Sequence, residues 1–223
     1  MSINTKTLLA ATALAFTAAS ANAVTIAEYT FTSGSTASTG PLGSNIGFEA
    51  GITGSSTAGD ELSIHGGQTA GSALGPTIYT DTDEERIASE NWVTFSIAVS
   101  AAQEIDLTSL TFNYDAILPA QFSFGVYTSK TGFTEGDHLL GLLTNTASSY
   151  STPLDLSGIG SLQNLTDETV EFRFLLGDDS GSNTRIHALD NIVLNGDVTA
   201  VPEPSTTALL GLGGLALILR RRK

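Results

Sequence analysis

Apolar and polar positions alternate with a period of two through most of the middle of the chain. Val93, Phe95, Ile97 and Val99 alternate with Thr94, Ser96 and Ala98, the pattern of a half-buried strand. Ile105 to Tyr114 is a β-rich run with Leu110, Phe112 and Tyr114 on one face. Phe122, Phe124 and Val126 repeat the alternation. So do Val170, Phe172, Phe174 and Leu176, with Glu171 and Arg173 facing away. Ile186 to Leu194 closes the series, and Ala27 to Phe31 and Leu62 to His65 are shorter strands ahead of it. Residues 32–61 are dominated by Ser, Thr, Gly and Ala and keep no period, so they read as long loops with at most short strands. Leu118-Pro119-Ala120, Lys130-Thr131-Gly132 and Gly177-Asp178-Asp179-Ser180-Gly181 separate the later runs as turns. Short strands without intervening amphipathic helices predict an all-β fold, an antiparallel β-sandwich. Phe95, Phe112, Phe122, Phe124, Phe172 and Phe174 are expected to fill its core.

Both ends break this pattern. Lys6, an apolar run from Leu8 to Ala19, and Ala21-Asn22-Ala23 form an export signal with a small-x-small cleavage site. The apolar run is too short to span a membrane permanently, and the mature chain is expected to begin at Val24. At the other end, Thr206 to Leu219 is an uncharged apolar run followed by Arg220, Arg221, Arg222 and Lys223. As a helix, this run rises roughly 21 Å against about 30 Å of bilayer core. Gly211, Gly213 and Gly214 weaken it further. It is therefore a short transmembrane helix, marginal as a permanent anchor, with its basic end on the cytoplasmic side and the body outside. Pro202 and Pro204 hold the preceding tripeptide extended around Glu203, the form in which a protease or transpeptidase reaches a peptide bond. The organisation is thus a signal peptide at 1–23, a β-sandwich domain at 24–200 and a sorting signal at 201–223.

Setting the ends aside sharpens the charge. Residues 24–200 hold four basic and 22 acidic residues, a formal charge of −18. Such a surface repels phosphate backbones and anionic lipid, which excludes nucleic acid as a partner. The chain has no cysteine, so disulfides, thiol catalysis and cysteine metal sites are excluded, and the body relies on its core alone.

Val201-Pro202-Glu203-Pro204-Ser205, the apolar segment and the terminal Arg/Lys cluster occur in that order at the terminus, opposite an export signal. This ending resembles the PEP-CTERM sorting signal of Gram-negative bacteria. The resemblance implies processing by exosortase, an integral-membrane cysteine transpeptidase-like enzyme, with this chain as its substrate. The tail would hold the chain at the inner membrane until cleavage near Pro202-Glu203-Pro204. The body would then pass to the cell surface or an extracellular matrix. A simple tail anchor with a proline hinge is the alternative. In the body, Leu107 to Phe112 together with Leu189 to Gly196 is similar to jelly-roll domains of exported PEP-CTERM proteins. Asp190-Asn191-Ile192-Val193-Leu194 also resembles the closing strand of carbohydrate-binding jelly rolls. That likeness implies a structural calcium ion at Asp190. Local backbone bonding or plain exposure of that carboxylate are the other readings.

The residues themselves carry little further chemistry. Asp81, Asp83, Glu84 and Glu85 form one acidic cluster, and Asp178, Asp179 and Asn183 another. Their oxygen ligands suit calcium, yet neither has the ordered spacing of an EF-hand, and a solvated loop is the plainer reading. His65, His138 and His187 are far apart and form no zinc motif. No nucleophile elbow occurs, and a glycosidase dyad cannot be singled out among so many carboxylates. Trp92 and the five tyrosines are candidates for a sugar-stacking platform, but Trp92 opens an alternating strand, and core or rim is its plainer reading. The expected function is a non-enzymatic exported protein, processed by signal peptidase and exosortase. A carbohydrate-binding module for exopolysaccharide is the rival, and a secreted hydrolase ranks behind it. No cofactor is expected beyond the calcium raised by Asp190, Asp178 and Asp179.

Overall fold

The computed structural model describes residues 22–48, 53–57, 61–65, 92–117, 122–134, 136–144, 149–151, 153–178 and 186–201. These residues build two antiparallel sheets. One contains β1 (Asn22–Tyr29), β3 (Thr53–Thr57), β4 (Glu61–His65), β6 (Gln103–Ile117), β9 (Ser149–Tyr150), β10 (Leu154–Asp155) and β12 (Ile186–Ala200). The other runs β2 (Gly47–Phe48), β5 (Trp92–Val99), β11 (Glu168–Asp178), β7 (Phe122–Thr128) and β8 (Leu140–Thr144) in spatial order. Short 3₁₀ turns at Thr32–Gly34 and Gly160–Leu162 interrupt the connections between strands. Among the described residues no helix is long and apolar enough to cross a membrane. Residues 1–21 of the signal helix expected at 1–23, and 202–223, expected to hold the transmembrane helix, lie outside the described residues.

The alternation seen in the sequence becomes the interior. Val93, Phe95 and Ile97 of β5, Phe172 and Phe174 of β11 and Val126 of β7 are buried on one wall. Ile26, Tyr29, Leu107, Leu110, Phe112, Leu189, Ile192 and Leu194 are buried on the other and belong to the same cluster. Aromatic rings lock the walls together. Phe95 stacks on its cross-strand partner Phe172 at 4.9 Å between centroids. Tyr29 meets Phe95 at 5.3 Å, and Phe112 meets Phe174 edge-on at 5.2 Å, each pair joining one sheet to the other. Rings at these distances and tilts add to the burial of their area. The side chains of Phe122 and Phe124 lie outside what is described.

β12 is the backbone of the larger sheet. One edge pairs with β6 from Ile186↔Ile117 to Ala200↔Gln103. The other edge pairs with β4 over Ile186–Leu189 and then with β1 from Ile192↔Tyr29 to Val198↔Asn22. The strand therefore runs well past Leu194, where the sequence suggests it closes. Gly196 makes this possible. A Cβ there would sit 2.9 Å from the Asp106 carbonyl oxygen and 3.3 Å from Ile105 and Ile26 side-chain atoms. β1 likewise begins at Asn22 rather than Ala27, and Gly177 and Asp178 belong to β11 instead of a turn. In both cases the pairing partner keeps a turn-prone or patternless stretch extended.

Tyr29 and Tyr114 are buried in this core. Burial raises the Tyr29 pKa from its ordinary 10.0 to about 12, partly offset by hydrogen bonds with Ser38 and Ser44. Burial raises Tyr114 as well, helped by the charge of Asp115. A phenol whose folded pKa exceeds its unfolded value stabilises the fold fully below pH 10 and loses that contribution as pH rises through 12. Phenolate absorbance and circular dichroism should therefore change together above about pH 10. Ionisation of all tyrosines with the fold intact would contradict this placement.

Candidate functional site: the sorting junction

The end of β12 leads straight into the proline-flanked tripeptide. Ala200 is still paired with Gln103. Val201 N–H donates to the Ala102 carbonyl oxygen at 2.9 Å. Ala102 lies in the tight turn that joins β5 to β6, closed by the Gln103 N–H to Ser100 carbonyl bond at 3.1 Å. One hydrogen-bonded residue thus separates the sheet from Pro202.

The start of β1 lies beside this exit. Asn22 pairs with Val198, Ala23 with Asp197 and Val24 with Gly196. Because the strands are antiparallel, the chain enters the body and leaves it at the same end of one sheet, on neighbouring strands about 5 Å apart. The register is pinned on the outer face by Thr25 Oγ1 to Asn195 Oδ1 at 3.3 Å and Asn195 Nδ2 to Ser109 Oγ at 3.2 Å. Val24 (39% exposed) and Val201 (38%) are the exposed large apolar side chains among the described residues, and both sit here. Asp197 lies directly opposite Asp106, with Glu104 opposite Thr199, so this end carries negative charge beside the two apolar residues. The nominated residues Ala23 and Val24 are brought next to the exit, whereas Ala21, Pro202, Glu203 and Pro204 lie outside the described residues.

Of the nominated metal residues, Asp190 is the one whose side chain is described. Asp190 is half-buried on β12 at a bulge, where the register with β6 slips between Asp190 and Val193. Asn191 occupies the extra position with φ 49°. Asp190 Oδ1 accepts the Asn191 N–H at 2.7 Å, and Oδ2 accepts from Asn191 Nδ2 at 2.5 Å. The bulge falls where the neighbour of β12 changes from β4 to β1, and the carboxylate supports the left-handed residue that the change requires. Asn191→Ala should cost about 1–2 kcal/mol, since it loses both the side-chain bond and tolerance of positive φ. Asn191→Gly should cost less in a urea titration; the reverse order would remove this role. The backbone of Asp178 is in β11 but its side chain, together with Asp179, Asn183, Asp81, Asp83, Glu84 and Glu85, lies outside what is described. Among the described residues no group of three His, Asp or Glu is arranged to hold a metal ion. His65 stands opposite Ile186 and His187 opposite Ile64, while His138 is in the loop after β7.

Trp92 is not a platform. It is 2% exposed, in a second small cluster with Tyr127 and Leu175 on the face of β5, β11 and β7 that points away from the main core. Arg173 completes it, with its guanidinium carbon 3.9 Å from the Phe133 ring centre and 4.9 Å from that of Trp92. Arg173 Nε also donates to Glu171 Oε1 at 2.5 Å. This cation–π arrangement pins the loop carrying Phe133 to the sheet. Sequence reading missed it because Phe133 lies in a loop about 40 positions away from Arg173 and no local period announces the pairing.

Residues 200–223 match the family model described as the PEP-CTERM protein-sorting motif. No curated protein matches the chain. A solved structure titled "CBM4 structure and function" aligns with 12% identity over 70% of this chain and 93% of its own, with a TM-score of 0.32. A score that low carries no argument about this chain.

Proposed function

We propose that this chain, with a PEP-CTERM sorting motif at residues 200–223, is a non-enzymatic β-sandwich protein of the cell surface or extracellular matrix. The motif implies export and sorting by an exosortase. In the proposed route signal peptidase removes residues 1–23, the tail holds the body at the inner membrane of a Gram-negative cell, and exosortase cuts near Pro202-Glu203-Pro204. Exopolysaccharide is the proposed neighbour after release.

The observation that supports this reading is the position of the motif at the very end of the paired part of β12. The tail follows the central strand in sequence, and the core of the described residues ends with Leu194 and the partly buried Val198. Removing the tail therefore leaves that interior complete. The body's charge of −18 then opposes re-adsorption to anionic lipid, an effect that salt screens beyond about 8–10 Å.

Intact-mass measurement and fractionation, in cells with and without the exosortase, test the proposal. The expected result is loss of the tail from about Pro202 onward and release from the inner membrane only when the enzyme is present. Glu203→Ala should keep the full mass and membrane association while leaving the denaturant midpoint of the body unchanged. Identical masses in both strains would reject sorting by cleavage.

A further inference from the structure

The bond expected to be cut by signal peptidase, Ala23–Val24, lies inside a paired strand. Both residues belong to β1 and face Asp197 and Gly196 of β12. Asn22, ahead of the bond, is also paired, with Val198. The Thr25–Asn195 bond then fixes the strand just after it. A peptidase binds its substrate as an extended segment, commonly by adding it to a strand of its own. Such binding needs several residues on each side of the bond to leave their sheet. Here the residues on the carboxyl side are soon committed to the interior, because Ile26 and Ala27 are fully buried.

From this register we propose that docking of β12 onto β1 closes the signal-cleavage site, so that cleavage must precede completion of the fold. The inference rests on the signal-peptide part of the proposed function. The step is a hydrolysis that consumes one water. The Ala23–Val24 amide breaks, the water oxygen goes to the Ala23 carboxylate, and both protons go to the Val24 ammonium.

The order is built into the topology. The partner of Thr25 is 170 residues further along the chain. At about 5–20 residues per second that segment takes roughly ten to thirty seconds to be made, and during that interval β1 has no β12 to pair with. β12 is also contiguous with the sorting tail, so the strand that closes the first cutting site arrives together with the second. Chain that folds while uncut would remain held by both apolar ends, which leave the body on neighbouring strands.

The test uses full-length uncut chain and a type I signal peptidase in detergent micelles, with intact mass as the readout. Three samples are compared: folded chain, chain in enough urea to unfold it but not the enzyme, and a folded variant. The variant carries a Gly/Ser spacer of about eight residues between Ala23 and Val24, which moves the cleavage sequence off the sheet without altering β1 from Val24 onward. Folded chain should be cut at Ala23 roughly tenfold or more slowly than urea-treated chain, because cutting awaits local opening. The spacer variant, folded, should regain the faster rate. Equal rates for folded and unfolded chain would overturn the proposal and leave the signal reading standing. A spacer variant as slow as the folded parent would also overturn it. No cleavage at Ala23 in urea-treated chain would remove the signal reading, and the proposal with it.

Discussion

Phe172→Ala is expected to lower the stability of the body by about 3–5 kcal/mol, the usual cost of emptying a fully buried aromatic site. Phe172 is completely buried near the middle of β11. β5 flanks that strand on one side, with Phe95 directly opposite Phe172, and β7 on the other, with Thr128 opposite. Its ring lies nearly parallel to that of Phe95, at an interplanar angle of 7°. Phe95 in turn touches Phe174 and Tyr29, so truncation loosens the aromatic bridge between the sheets as well as leaving a void. Collapse of the void is resisted because the strands on both sides are fixed by their ladders. Domains of this size are stable by about 5–15 kcal/mol, so the substitution removes roughly a fifth of that or more. The melting temperature should fall by roughly 10 °C. Urea unfolding of Phe172→Ala beside Phe172→Leu checks the argument, since leucine refills much of the space and should cost far less. Equal small losses for the two would mean that the ring does not help to join the sheets.

That core was legible in the sequence because strand periodicity is a local signal. Val93, Phe95, Ile97 and Val99 on β5, and Phe172 and Phe174 on β11, alternate wherever one face is buried, and the faces are those expected. Arg173 does point away from the main core, as its place in the alternation requires. Its destination between Trp92 and Phe133 depends on a loop remote in sequence. The errors share one cause. Asn195-Gly196-Asp197 has turn chemistry, but pairing with Asp106, Leu107 and Ser109 on one edge and β1 on the other holds it in the sheet. Asn22 and Ala23 have no period of their own and are strand only because Val198 and Asp197 lie beside them. Asp190 is an acid within an otherwise apolar stretch of β12. Its reason is a bulge, which needs a residue tolerant of positive φ and a group to hold it, and neither requirement appears in a hydrophobic pattern. The sorting motif was readable because it is a linear signal recognised from order along the chain.

A chain ending at Arg185 should not fold, whereas one ending at Val201 should unfold at the same urea midpoint as the full-length protein. The contrast comes from what β12 supplies. Leu189, Ile192 and Leu194 are fully buried, and burying such side chains contributes about 1.5–3 kcal/mol each. Together they amount to roughly 5–9 kcal/mol, comparable with the whole stability of a domain. Their loss would also uncover Leu107, Leu110 and Phe112 on β6 and leave its backbone edge unpaired from Gln103 to Ile117. β1 would lose its only sheet partner among the described residues. The core side chains of the described residues, by contrast, all lie ahead of Val201. In the proposed route a cut after Val201 leaves β12 whole, whereas a cut ahead of Val198 would remove the partner of Ile105. Circular dichroism and urea titration of the two truncated chains provide the measurement. A cooperative transition in the chain ending at Arg185, at the full-length midpoint, would show that β12 is dispensable to the body and would sever the link between the last strand and the position of the cut.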